Sequence, residues 1–171
     1  MQSKLSDHFN MLKYGAYVGV KVSKESYKTI NEIITLLNVK APFAIEEATV
    51  PLIVSFNFNK LYSNIIKTDF IPYANKVYNG VASKLVVDDN NRLLLELICP
   101  ELHERHNELK YIGFEDHGVG EGFYVPYIVL SNDYKSEKLK QDVLKGKKIQ
   151  LQGEVFHALS PETTINGLTI V

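Results

Sequence analysis

The chain is short of several things that would each have pointed to a class of protein. It has one cysteine, Cys99, so no internal disulfide can form and no cysteine-rich zinc site is available. This usage fits a reducing compartment. Cys99 sits between Ile98 and Pro100 at the end of an apolar run and reads as a small buried hydrophobe. Net charge is nearly absent, at −1, so the overall balance does not draw the protein toward nucleic acid or an anionic membrane. The local cluster of Lys145, Lys147 and Lys148 reads as a solvated turn. No apolar run approaches the ~20 residues that span a bilayer. Met1 to Met11 contains Asp7 and no apolar stretch, so no signal peptide is expected. Histidine is missing from a long tract, with none between Leu12 and Leu102.

What is present describes an ordinary globular chain. The 171 residues, 45% hydrophobic and 23% charged, suit one domain with a sizeable core and exclude disordered and fibrous classes. Ala16 to Val22 is rich in β-branched and aromatic residues and reads as a strand. Ser23 is a good N-cap, Glu25 follows in the first turn, and Tyr27, Ile30, Ile33, Ile34 and Leu37 recur at helical spacing. The spacing predicts a helix over about Lys24 to Leu37. Leu52 to Phe56 reads as the next strand. Val77 to Val87, the turn signal Asp88-Asp89-Asn90-Asn91, and Arg92 to Ile98 make a hairpin. Pro100 opens a second helix, with Leu102, His106 and Leu109 on one face and Gly113 as its stop. Val125 to Ser131 and Lys148 to Val155 are further strands. Thr163 to Val171 reads either as a short hairpin around Asn166-Gly167 or as a frayed end.

The chain also repeats itself. Val50-Pro51-Leu52-Ile53-Val54 matches Val125-Pro126-Tyr127-Ile128-Val129, and each copy follows a strand and a helix. The expected fold is therefore α+β, with duplicated strand–helix–strand units in pseudo-twofold relation around a central cleft. Residues 1–171 form a single domain in this reading. Lobe one covers about 15–60, lobe two about 77–131, and the C-terminal strands return to the core.

Two lobes that each end in a strand of the form Pro-x-Ile-x-Leu resemble the 2H phosphoesterase superfamily. The likeness is closest to phage anti-CBASS phosphodiesterases, which destroy cyclic nucleotide signals of antiviral defence. Tyr17 to Ser26, Leu93 to His106 and Phe123 to Ser131 carry it, and it extends from about Gly15 to Pro161. The resemblance implies a His-x-Thr motif on each central strand. One histidine would act as general base and the other as general acid, while the threonines would hold the phosphoryl oxygens. Here the motif positions fall on Leu52-Ile53-Val54 and Tyr127-Ile128-Val129. Leucine and valine carry no titratable group, and a tyrosine with pKa near ~10 is a poor base at neutral pH. No catalytic residue is therefore assigned, and the chain is expected to be a pseudoenzyme needing no cofactor and no metal.

Other residues offer weaker signals. His103 and His106, spaced i, i+3 on the second helix, read either as two ligands on one side or as an exposed residue and a packing residue, and the second reading is preferred. Asp116-His117 lies in an acidic, glycine-rich loop that reads as a cleft rim. Gly118, Gly120 and Gly122 do not follow the dinucleotide fingerprint, since a strand and not a helix comes after them. His8 and His157 are assigned no role. Leu52, Val54, Tyr127 and Val129 are expected to line the cleft, with Tyr124, Ser55, Ser131 and His117 as contacts to a ligand or partner.

Two functions follow. The first is a protein-interaction role in a phage, as virion component, assembly factor or host-factor binder, with the apolar cleft burying a partner's side chains. The alternative is a nucleotide- or RNA-binding pseudoenzyme that sequesters a cyclic nucleotide, with Tyr124 or Tyr127 stacking on a base. Location in the host cytoplasm or the virion is expected, with no membrane association. The partner's identity and the oligomeric state are not encoded in any motif.

Overall fold

A computed structural model describes residues 15–55, 70–114, 116, 123–135, 138–158 and 163–170. The alternation of Ala16, Val18, Val20 and Val22 makes β1 (Ala16–Val22) a strand with one fully apolar face. Helix α1 (Lys24–Leu36) follows directly and buries Ile30, Ile33 and Ile34. Ser23 occupies the N-cap, but its hydroxyl is turned toward Glu25 and the Gln150 side chain and not to a helix amide. Then come β2 (Thr49–Ser55), β3 (Val77–Val87) and β4 (Leu93–Ile98). In helix α2 (Pro100–Ile112), Pro100 sits in the first turn and Gly113 ends the helix at φ 124°. The chain continues through β5 (Tyr127–Ser131), β6 (Lys148–Ala158), β7 (Thr163–Ile165) and β8 (Leu168–Ile170).

Six strands form one antiparallel sheet in the order β2-β1-β6-β3-β4-β5. Strand β6 runs past the expected end at Val155 because it has two neighbours to serve. Its first half pairs with β3 and its second half with β1. The bend between the halves uses Gly153 at φ 93°, a conformation that costs glycine least. The two strands at the ends of the order, β2 and β5, approach one another, so the sheet is curled. The hairpin around Asn166-Gly167 is present as β7–β8, with both turn residues at positive φ. This is the backbone a two-residue hairpin turn favours.

Both helices lie on the same face. Their buried residues join one cluster with Val18, Val20, Leu93, Leu95, Ile128 and Leu130 from the strands. Alternation sends Tyr17, Val81, Leu94, Glu96, Ile98, Tyr127 and Val129 to the opposite face. Among the described residues no helix is long and apolar enough to cross a membrane.

Candidate functional site

The expected cleft does not open along its named residues. A bulge in the β1–β2 pairing sets Val18 against Ile53 and Gly19 against Pro51, which leaves Leu52 as the extra residue. Its side chain is fully buried in the core and so does not line a groove. On β5, Val129 is 1% exposed and faces Leu94. Only Val54 and Tyr127 keep partial exposure.

The expected contacts are also largely enclosed. Tyr124 is buried, and its hydroxyl donates to the Pro51 carbonyl at 2.6 Å. It ties the segment before β5 to β2, and burial raises its hydroxyl well above the ordinary range. Ser55 and Ser131 are buried, and Ser131 Oγ donates to the Ala41 carbonyl at 2.7 Å. His117 lies outside the described residues.

Behind Leu52 sits His106, for which the sequence pattern prefers packing over metal ligation. His106 Nδ1–H donates to the Leu52 carbonyl at 2.6 Å, an acceptor-only group that fixes the direction of the bond. The His106 ring stacks on Tyr124 with centroids 4.3 Å apart and planes within 6°. Its Nε2 faces Asp116 Oδ2 at 3.4 Å, so Asp116 is turned toward His106. His103 is exposed and meets the Tyr124 ring edge-on at 5.2 Å. The two histidines therefore meet on one tyrosine ring.

The face opposite the helices carries two tyrosines, Tyr17 and Tyr127. Tyr17 lies along β1 over Gly19, where a Cβ would come within 2.6 Å of the tyrosine hydroxyl. That hydroxyl shares a 2.6 Å hydrogen bond with Thr49 Oγ1, and the ring stacks on His157 at 6.1 Å. Burial pushes the Tyr17 hydroxyl up, so it is protonated at neutral pH. On β5, the half-buried Tyr127 ring has the Arg92 guanidinium 5.9 Å from its centroid. Arg92 is itself paired with Asp88 at 2.7 Å.

Farther along this face the sheet turns apolar and exposed. Val81 of β3 pairs with Ile98 of β4, and Leu97 N–H donates to the Pro126 carbonyl, which sets Val125 next in the row. Ile98 is 59% exposed, Val81 41% and Val125 37%.

The family model for the Anti-CBASS protein Acb1 matches residues 14–166. The chain belongs to the Acb1 family. Among solved structures, this Acb1-family chain is similar to the crystal structure of TT0787 of Thermus thermophilus. The TM-score is 0.55, the identity 10%, and the match covers 83% of this chain and 86% of that chain. At that identity the likeness shows a shared fold. No curated protein matches the chain.

Proposed function

We propose that this chain is a phage anti-defence protein of the Acb1 family that does not cleave phosphodiesters and acts by binding a protein partner on its open sheet face. The observation that carries the reading is the exposed row Val81, Ile98 and Val125. An apolar row on a face without helices rewards burial by about 25 cal/mol per Å² removed from water. The absence of a proton acceptor at positions 52, 54, 127 and 129 supports the non-catalytic half of the reading. The mirrored places of β2-β1-β6 and β5-β4-β3 in the strand order support two duplicated units. The test is a phage challenge in a host whose defence signals through a cyclic nucleotide. The intact chain is expected to rescue phage growth while the nucleotide, followed by mass spectrometry, stays at its unprotected level. Ile98→Asp should abolish rescue without unfolding the chain. A fall in nucleotide level with the intact chain would sink the reading.

A second reading is sequestration of the nucleotide without cleavage. The half-exposed Tyr127 ring beside Arg92 favours it, since stacking on an aromatic ring is worth ~1–3 kcal/mol per base. Isothermal titration against cyclic di- and trinucleotides decides: micromolar binding with the ligand recovered intact would replace the first reading with this one.

A further inference from the structure

A groove of about 850 Å³ runs along the outer side of α2, beside the turn at Ile71–Tyr73. Its walls include Pro72, Tyr73, Tyr111 and Ile112, interrupted by Glu104 and Glu108. Glu104, Glu108 and Tyr111 recur at i, i+4 and i+7, so they form one stripe of the helix. Tyr111 is 95% exposed. Among the described residues Glu104 has no ion pair.

The cation at the base of the groove is already engaged. Arg105 Nε and Nη2 donate to the two oxygens of Glu154 at 2.9 and 2.7 Å, with both side chains no more than 2% exposed. Its guanidinium carbon lies 3.5 Å from the centroid of the Tyr73 ring. Nη1 reaches on to Glu108 at 3.1 Å, and the Tyr73 hydroxyl donates to the same carboxylate at 2.6 Å. The Tyr73 hydrogen bond, reinforced by the Arg105 charge, holds the Glu108 carboxyl below its ordinary range. The groove wall carries two carboxylates, Glu104 and Glu108, against one guanidinium already paired with Glu154. Lys76, 5.4 Å over the Tyr73 ring, is itself paired with Glu101 at 3.7 Å, so the groove has negative charge in excess.

We propose that this groove is a docking site for a cationic segment of a protein partner, with an arginine or lysine side chain between Glu104 and Glu108 and an apolar neighbour against Tyr111 and Ile112. Arginine fits best, because its planar fork matches a carboxylate. The groove lies on the helical side of the sheet, away from the Val81–Ile98 row, so either surface can fail without the other.

The test titrates the full isotope-labelled chain with the pentapeptide Leu-Arg-Leu-Arg-Leu and with the same peptide carrying citrulline for arginine. Saturable amide shifts are expected at Glu104, Glu108 and Tyr111, with affinity at least about tenfold weaker for the citrulline peptide and for Glu104→Lys. Tyr111→Ser should weaken binding severalfold, and added salt should weaken it further. Both substituted residues are exposed, so the fold is retained. Equal affinity for the two peptides, unchanged binding by Glu104→Lys, shifts confined to Val81 and Ile98, or no saturable shift up to about 1 mM peptide would each overturn the proposal.

Discussion

Strands β2 and β5 both end the sheet, and each must deal with the outward main-chain groups that an edge strand leaves unpaired. They do so by different means. On β2 the partners are side chains from distant parts of the chain. Asn166 Oδ1 accepts from Thr49 N–H at 3.1 Å, and Asn166 Nδ2 donates to the Thr49 carbonyl at 3.1 Å. Tyr124 donates to the Pro51 carbonyl and His106 to the Leu52 carbonyl. On β5 the partner is backbone: Phe43 N–H donates to the Leu130 carbonyl at 2.8 Å, and Pro42 bridges to Ser131. A side-chain cap can be removed by one substitution, whereas a backbone cap survives most of them. The edge at β2 is therefore the one that mutation can open, and binding through an added strand is disfavoured at both.

The largest effect is expected at Asn166. Asn166→Ala leaves Thr49 without three hydrogen bonds, one of them donated by its hydroxyl. It also puts alanine at φ 51°, so the loss should be about 3 kcal/mol. Denaturant unfolding reads this directly, and hydrogen exchange should speed up at β2 and leave β5 protected. Equal exchange at the two edges would contradict the contrast. His106→Leu comes next, at about 2 kcal/mol, because it keeps volume but strands the Leu52 carbonyl. Its exchange signature should lie at Ile53 and Val54.

Much of this framework was legible in the sequence, for local reasons. Apolar spacing placed α1 and α2 to within a residue or two. Pro100 and Gly113 marked the ends of α2, and Asp88 to Asn91 and Asn166-Gly167 marked two turns, because each rests on neighbouring backbone angles. The cleft was not legible, because one residue of bulge at Leu52 exchanges a groove-lining side chain for a core one. No local pattern reports such a shift. His106 was readable as a residue on the apolar face of its helix, but its carbonyl partner lies 54 residues away. Tyr17 left one clue in Gly19, two positions on along the same strand face, where any side chain would collide with the ring.

Smaller substitutions sharpen the same contrast. Tyr124→Phe removes only the hydroxyl that caps Pro51 and should cost about 1 kcal/mol, with the ring still stacked on His106. Ser131→Ala on β5 removes a bond to the Ala41 carbonyl of similar length and a longer one, 3.2 Å, that Ser131 accepts from the exposed turn at Asp133 N–H. The neighbouring Phe43 to Leu130 backbone bond remains, so its cost should fall below about 1 kcal/mol. Thermal melts of the two variants side by side test the ordering, and a larger loss for Ser131→Ala would mean that the β5 edge also depends on its side chain.

The smallest expected effect is a pH dependence beside β5. Asp88 closes the β3–β4 turn: one carboxylate oxygen accepts from Asn90 N–H and Arg92 N–H at 2.9 Å each, and the other from Arg92 Nε at 2.7 Å. Burial alone would raise this carboxyl, but the Arg92 backbone and guanidinium outweigh burial and hold it below its ordinary value of 3.8. A depressed carboxylate contributes stability that is present above the unfolded-state value and is lost as pH falls through the folded-state value. The stability gap between the native chain and Asp88→Asn should therefore be constant near neutrality and shrink as pH drops below about 4. Because Arg92 also lies over Tyr127, the same titration should alter the Tyr127 ring signal while Tyr17, on the β2 side, stays unchanged. A gap that widens on acidification would show that the Asp88–Arg92 pair is not what holds this turn against β5.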